Sequence, residues 1–227
     1  MFITSPPCWS KDFIFLPNST RNLLFGKIRY IFKGENIEYL TLDALEGACR
    51  SCVDCNLSTG RTNVVVGRGN GKAKLLIIGE GPGRNEDETG LPFVGRAGKL
   101  LDKILDSVGI DSNQDAYISN IVKCRPPENR KPSLEEIRAC EHWLKEQIRL
   151  INPEIILLVG ATAVQGILGV KEGITKIRGS WIEENGMLYM PIFHPSYLLR
   201  NPSKDPGKPK WLTWQDMKKV KGKIDSL

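Results

Sequence analysis

No segment of the 227-residue chain is apolar for long enough to cross a bilayer as a helix, because the apolar stretches at 13–16 and 23–32 are short and interrupted or ended by Pro17, Lys27 and Arg29. A protein that spans a membrane on helices is thereby excluded. Nor is there an internal repeat or a low-complexity tract, only a polar, proline-rich loop at 201–209, so repeat architectures are excluded as well. Histidine is scarce: with only His142 and His194, imidazole chemistry has two possible homes. Acids are scarce at the start, where Asp12 is the only one before Glu35 while Lys11, Arg21, Lys27, Arg29 and Lys33 make the stretch basic. Residues 1–38 read as an N-terminal extension of unknown role, either a transit peptide or a peripheral arm, and residues 39–227 as a single domain.

What is present suffices for one substantial core, at 41% hydrophobic and 26% charged residues. Thirty-two Lys and Arg against 26 Asp and Glu leave a net charge of +6 and a pI of about 9.0. That sign suits a polyanionic partner, although many ordinary enzymes share it.

From about Ile37 onward, short apolar runs alternate with longer amphipathic stretches, the pattern of an α/β protein with a parallel sheet. Strands are expected at 74–79, 117–120 and 154–160, and an extended pair at 179–193 turning at Glu184-Asn185-Gly186. Leu100, Leu101, Ile104, Leu105 and Val108 recur at helical spacing and stop at Gly109. Ser133 and Glu136 form a capping box that opens a helix to about Leu150. Further helices are expected at 161–168 and 211–224.

Of six cysteines, Cys52 and Cys55 form a CxxC, and Cys124 and Cys140 lie before and inside the capped helix. Four such thiols suit an iron–sulfur cluster or zinc, and a redox pair or buried small side chains read the same way. Cys49 is a near neighbour.

Three motifs each follow an expected strand: GEGPGRNEDETGLPFVG at 79–95, SNIVKCRPPENR at 119–130 and HPSYLLR at 194–200. Ligands of open parallel sheets bind at the carboxyl ends of strands, so the three can share one pocket. A dinucleotide-binding loop is the rival reading of the first, and a weak one, since its spacing is GxGxG rather than GxGxxG and Pro82 interrupts the turn.

With the cysteines in order, the stretches EDxxGxPFVGxAG, NxVKCRPPxNR and HPSYLLR resemble the iron–sulfur (family four) uracil-DNA glycosylases over about Cys49 to Val220. The resemblance implies a three-layer α/β/α fold with a central four-stranded parallel sheet, a [4Fe-4S] cluster on Cys52, Cys55, Cys124 and Cys140, and uracil-containing DNA as partner. It implies a monofunctional enzyme of base-excision repair that flips deoxyuridine out of DNA, releases uracil and leaves an abasic site. A cytoplasmic monomer without membrane attachment is expected. The alternative is a nucleic-acid-binding module of the same fold that has lost catalysis. A covalently trapped relative would need a histidine after Phe93, and residues 93–105 hold none.

Glycosidic cleavage leaves negative charge on the departing base, which calls for a donor aimed at it. His194 takes that role towards uracil O2. The Asn120 amide can donate to O4 and accept from N3–H, the pairing that separates uracil from cytosine. Phe93 is expected to stack on the base, with Gly79 and Gly81 bringing backbone close. Where the wider superfamily has a water-positioning aspartate before the proline, this chain has Gly81, as family four does. Glu80 and Glu86 are the available carboxylates, for orienting water, steadying the sugar cation or, at Glu86, blocking the thymine methyl. Leu198 is expected to wedge into the gap left by the flipped base, with Leu199 or Arg200 as substitutes. Lys123, Arg125, Arg130 and Arg200 are expected to grip phosphates.

Overall fold

A computed structural model describes residues 22–25, 28–33 and 36–227, with side chains from Glu38 onward. The greater part of the basic extension, including residues 1–21, lies outside the described residues. Strands β1 (Asn22–Phe25), β2 (Ile28–Lys33) and β3 (Asn36–Tyr39) pair antiparallel in that order. The boundary drawn at residue 38 therefore falls inside β3. Helix α1 (Leu42–Cys49) follows, with Thr41 Oγ1 accepting from the Ala44 amide at its start.

The remaining elements alternate: β4 (Arg68–Gly69), β5 (Leu75–Gly79), α2 (Arg84–Thr89), α3 (Arg96–Asp106), β6 (Ala116–Asn120), α4 (Leu134–Ile151), β7 (Ile155–Val159), α5 (Ala161–Leu168), α6 (Ile174–Ile177), β8 (Ile182–Glu184), β9 (Met187–Ile192), α7 (Pro195–Arg200) and α8 (Pro209–Ile224). Every residue of β5, β6 and β7 is buried, which is why these strands read as apolar runs rather than as alternation. Their side chains still divide by parity. Leu75, Ile77, Ile118, Leu157 and Ile192 meet Leu101 and Leu105 of α3 and Met217 and Val220 of α8. Leu76, Ile78, Ile156, Leu158 and Tyr189 meet Leu144 and Ile148 of α4 and Val164 and Ile167 of α5. Each such leucine or isoleucine contributes about 1.5–3 kcal/mol by leaving water.

The sheet order is β4-β6-β5-β7-β9-β8. Its inner four strands are parallel, but the expected four-stranded parallel sheet is corrected to a mixed sheet of six, because β4 and β8 add antiparallel at the edges. β4 has two residues, too few for a sequence pattern. β8 and β9 are the expected extended pair, closed by Asn185 and Gly186 at φ 52° and 77°, the left-handed conformations a tight hairpin needs. Residues 116–120 form a strand one residue longer than expected, and its register sets Gly79 opposite Asn120 at the carboxyl edge.

Helix α4 begins as its capping box dictates: Ser133 Oγ accepts from the Glu136 amide at 3.2 Å, and Glu136 Oε2 accepts from the Ser133 amide at 2.7 Å. Ser133→Ala is expected to cost about 1 kcal/mol. Urea unfolding checks this by a lower midpoint at unchanged slope.

Candidate active site

The carboxyl ends of β5, β6 and β9 open onto a cavity of about 340 Å³, bounded by Glu80, Gly81, Glu86, Phe93, Asn120 and His194, with Arg130 and Ser196 also in its wall. Three motifs far apart in sequence thus meet because three parallel strands end side by side.

Phe93 holds an unusual backbone, φ 54°, that a bulky side chain rarely adopts. Two glycines accommodate it. A Cβ at Gly98 would lie 1.9 Å from the Phe93 carbonyl oxygen, so helix α3 can start beneath this loop only without a side chain there. A Cβ at Gly79 would lie 2.5 Å from both Phe93 Cζ and Asn120 Oδ1, so the bare strand end lets the ring and the amide approach each other. Gly79 itself lies under the cavity rather than in its wall.

Glu86 ties the two loops of the first motif together. Its Oε1 accepts from the amides of Val94 at 2.9 Å and Gly95 at 2.8 Å, and its Oε2 from Gly83 at 3.1 Å. The carboxylate that sequence offered as a water-positioning group is therefore engaged in holding the backbone on either side of Phe93. Among the described residues no side-chain hydrogen bond or ion pair is recorded for Glu80, which lines the same cavity.

His194 caps α7, and its Nδ1 accepts from the Ser196 amide at 3.2 Å, with Ser196 Oγ at 2.8 Å. A nitrogen that accepts from a backbone N–H carries no proton, so the neutral ring's hydrogen sits on Nε2. Burial pushes the His194 pKa below its ordinary value, with Glu80 opposing the shift. The ring stands 6.2 Å from Phe93, centroid to centroid. The cavity wall thus includes a neutral N–H donor at His194, the Asn120 carboxamide and the Phe93 ring.

Two expected DNA contacts are corrected. Leu198 is fully buried, at 0% exposure, and Leu199 is the exposed leucine, at 43%. Lys123 is 1% exposed, and its ammonium is spent on internal acceptors: Ser119 Oγ, the Asn120 carbonyl and Gln147 Oε1. Arg125 is half-buried with Nε donating to Asn129 Oδ1, whereas Arg200 is exposed on α7. Arg130 is gripped by both oxygens of Glu136 at 2.6 and 2.9 Å. Sequence reasoning passed over Gly98, Ser196 and Gln147. Ser196 sits within HPS and Gly98 closes the PFVGxAG stretch, but Gln147 carries no local signal.

Cys49, Cys52, Cys55, Cys124 and Cys140 converge on one small cavity beside Ala139, Cys140 and Trp143 of α4. Burial pushes the thiols of Cys49, Cys52, Cys124 and Cys140 up, Cys140 to about 12. N–H donors surround them: Arg61 Nη1 reaches Cys124 Sγ at 3.2 Å and the Lys123 amide reaches Cys140 Sγ at 3.3 Å. The Trp143 indole N–H lines the cavity, buried and without an acceptor. Buried Cys124 and Cys140, each with an N–H donor on its sulfur, suit a thiolate-bound group, since such donors favour charged sulfur. Among the described residues, no three His, Cys, Asp or Glu are placed to hold a metal ion as they stand.

Gly79→Ala is expected to push on two side-chain ends and cost about 1–3 kcal/mol. Gly98→Ala pushes on backbone and is expected to cost more, so thermal melts should rank the two in that order.

The family model of the uracil DNA glycosylase superfamily matches residues 66–218. The chain is similar to the type-4 uracil-DNA glycosylase of Thermotoga maritima, 49% identical over 177 residues that cover 77% of this chain and 90% of that protein. It is 42% identical to that of Saccharolobus solfataricus over 169 residues, 71% of this chain and 78% of the relative. Against that of Archaeoglobus fulgidus it is 39% identical over 170 residues, 71% and 85% of the two chains. With a family model over most of its length and relatives this similar, the chain belongs to the uracil DNA glycosylase superfamily and, within it, to the type-4 uracil-DNA glycosylases.

Proposed function

We propose that this chain, as a cytoplasmic monomer, excises uracil from DNA by hydrolysing the N-glycosidic bond, leaving an abasic site and an uncut strand. The observation that carries the reading is the meeting of a neutral Nε2–H at His194, the Asn120 amide and the Phe93 ring in one cavity.

The bond from C1′ to N1 breaks with its electron pair leaving on uracil, where the charge spreads to O2 and O4. His194 donates from Nε2 to O2, and this bond strengthens as charge arrives, so it lowers the barrier rather than merely binding substrate. Asn120 donates to O4 and accepts from N3–H, and cytosine offers the reverse pattern. Phe93 supports the base face. Water adds to C1′, forming the C1′–O bond, and the proton it sheds passes through solvent to the released uracil anion. Glu80 is the carboxylate for orienting that water or steadying the sugar cation, with Glu86 engaged in holding the loops. The exposed Leu199 is the wedge that fills the vacated stack, and Arg200 and Arg125 contact phosphates.

Cys52, Cys55, Cys124 and Cys140 would hold a [4Fe-4S] cluster, with Cys49 behind them. When bound, the cluster supplies a covalent tie among the CxxC loop, the segment after β6 and α4, and takes no part in the hydrolysis.

A labelled uracil oligonucleotide followed by alkali tests the activity. Wild-type chain should yield an alkali-labile site, and His194→Ala and Asn120→Ala should each lose about 10²–10³ in rate. A wild type that binds the oligonucleotide but releases no base would sink the proposal in favour of an inactive binding module. The pH profile follows from His194: protonating Nδ1 would set it against the Ser196 donors, and its lowered pKa delays this. Activity should persist down through pH of about 6.5, the ordinary imidazole value, and fall only below it. An acid limb centred higher would speak against the assignment. For the cluster, Cys124→Ala should abolish bound iron, sulfide and visible colour and lower the melting temperature, while Cys49→Ala keeps the iron.

A further inference from the structure

Lys123 is an unusual residue to bury. Removing an ammonium from water is costly, and an apolar side chain would fill the same space without that cost. The three hydrogens of its Nζ meet three acceptors, Ser119 Oγ at 2.7 Å, the Asn120 carbonyl at 2.7 Å and Gln147 Oε1 at 2.6 Å. Ser119 Oγ and Gln147 Nε2 each reach the Val66 carbonyl, at 2.8 and 2.9 Å. The polar island continues through Tyr117, whose hydroxyl accepts from Gln147 Nε2 at 3.4 Å and donates to Glu46 Oε1 at 3.1 Å, and Gln147 is fully buried within it. Gln147 also lies two turns along α4 from Cys140, on the same face.

The carbonyl that the ammonium grips belongs to Asn120, whose side chain faces the cavity. Fixing a carbonyl fixes the rotation of its peptide plane and so the direction of the Cα–Cβ bond beside it. We propose that Lys123 is a positioning residue that acts through Asn120, clamping the end of β6 so that the carboxamide meets uracil in register. This rests on the functional reading above. It also gives α4 and the cysteine cavity a mechanical route to base recognition, since the Lys123 amide bonds Cys140 Sγ while its side chain holds Asn120.

A residue that acts through another loses its effect once that other is gone. Single-turnover release of uracil is therefore measured for the full chain carrying Lys123→Met alone, in the Asn120→Ala background and in the His194→Ala background. Lys123→Met alone should slow release about 10- to 100-fold, the penalty for displacing a contact by a fraction of an ångström to an ångström. It should add less than about threefold to Asn120→Ala yet keep its full factor on His194→Ala. Melting temperature and iron content report whether each variant is folded. Should Lys123→Met fail to fold, Ser119→Ala, which removes one acceptor of the ammonium, enters the same cycle with a smaller expected factor. Equal factors in all backgrounds, or a folded single variant within twofold of wild type, would overturn the clamp. The cycle read as affinity for free uracil separates the two proposals. A wild type that binds uracil but cleaves nothing sinks the functional reading alone, whereas additive affinity losses sink the clamp alone.

Discussion

The cavity depends on one pairing in the parallel ladder, Gly79 opposite Asn120. Neighbouring parallel strands that end in register point their last side chains towards the same space, and here one of the two has none. The room that a Cβ at 79 would occupy is filled instead by the tip of the Asn120 amide and the edge of the Phe93 ring. The Asn120 amide and the Phe93 ring, from two different segments, can therefore stand close together above one strand end. The buried sheet beneath makes that placement rigid, since β5 and β6 are fully covered and cannot slide without exposing apolar side chains on both faces.

Glu86 solves the complementary problem of holding the loops that leave the sheet. A carboxylate accepting from three backbone amides is a strong, directional staple. It connects the amide of Gly83, at the end of the 79–83 turn, to those of Val94 and Gly95, just after Phe93. The strained backbone of Phe93 is thus fixed from both sides, by Glu86 after it and by the close approach of Gly98 beneath it. The division of labour between the two acids follows from these contacts: one is occupied with architecture, and Glu80 is left facing the cavity.

Sequence made the local features legible. The capping box at Ser133, the Asn185-Gly186 hairpin and the all-apolar strand β7 rest on rules that act within a few residues, and each stands where those rules put it. The three motifs could be assigned to one cavity because strand-end geometry does not depend on the intervening chain. What failed depended on tertiary surroundings. Leu198 and Leu199 are adjacent on a helix of six residues, too short to show a periodic face, so sequence could not say which one the core takes. Lys123, two residues from Arg125, reads in sequence as surface or phosphate-gripping charge, and acceptors brought by Ser119 and Gln147 from a strand and a helix make its burial tolerable. β4 is a two-residue edge whose pairing is dictated by β6.

The cysteines pose a separate question, because hydrolysis of a glycosidic bond needs no redox centre. Several contacts tie their side of the molecule to the cavity. Asp87 of α2 accepts from the amides of Thr62 and Asn63, shortly after the CxxC loop, and Arg61 of that loop reaches Cys124. Glu136, one helical turn before Cys140, caps α4 and grips Arg130 in the cavity wall. The CxxC segment is otherwise irregular, with a single short 3-10 turn between Cys55 and the strands, so little regular backbone pairing holds it. A group bound by all three segments would supply the rigidity that secondary structure does not, and it would do so at the point from which the loops carrying Asn120, Glu86 and Arg130 are braced. On that argument a group bound by the cysteines would act through stiffness, by keeping the residues proposed as donors in a distant cavity in place.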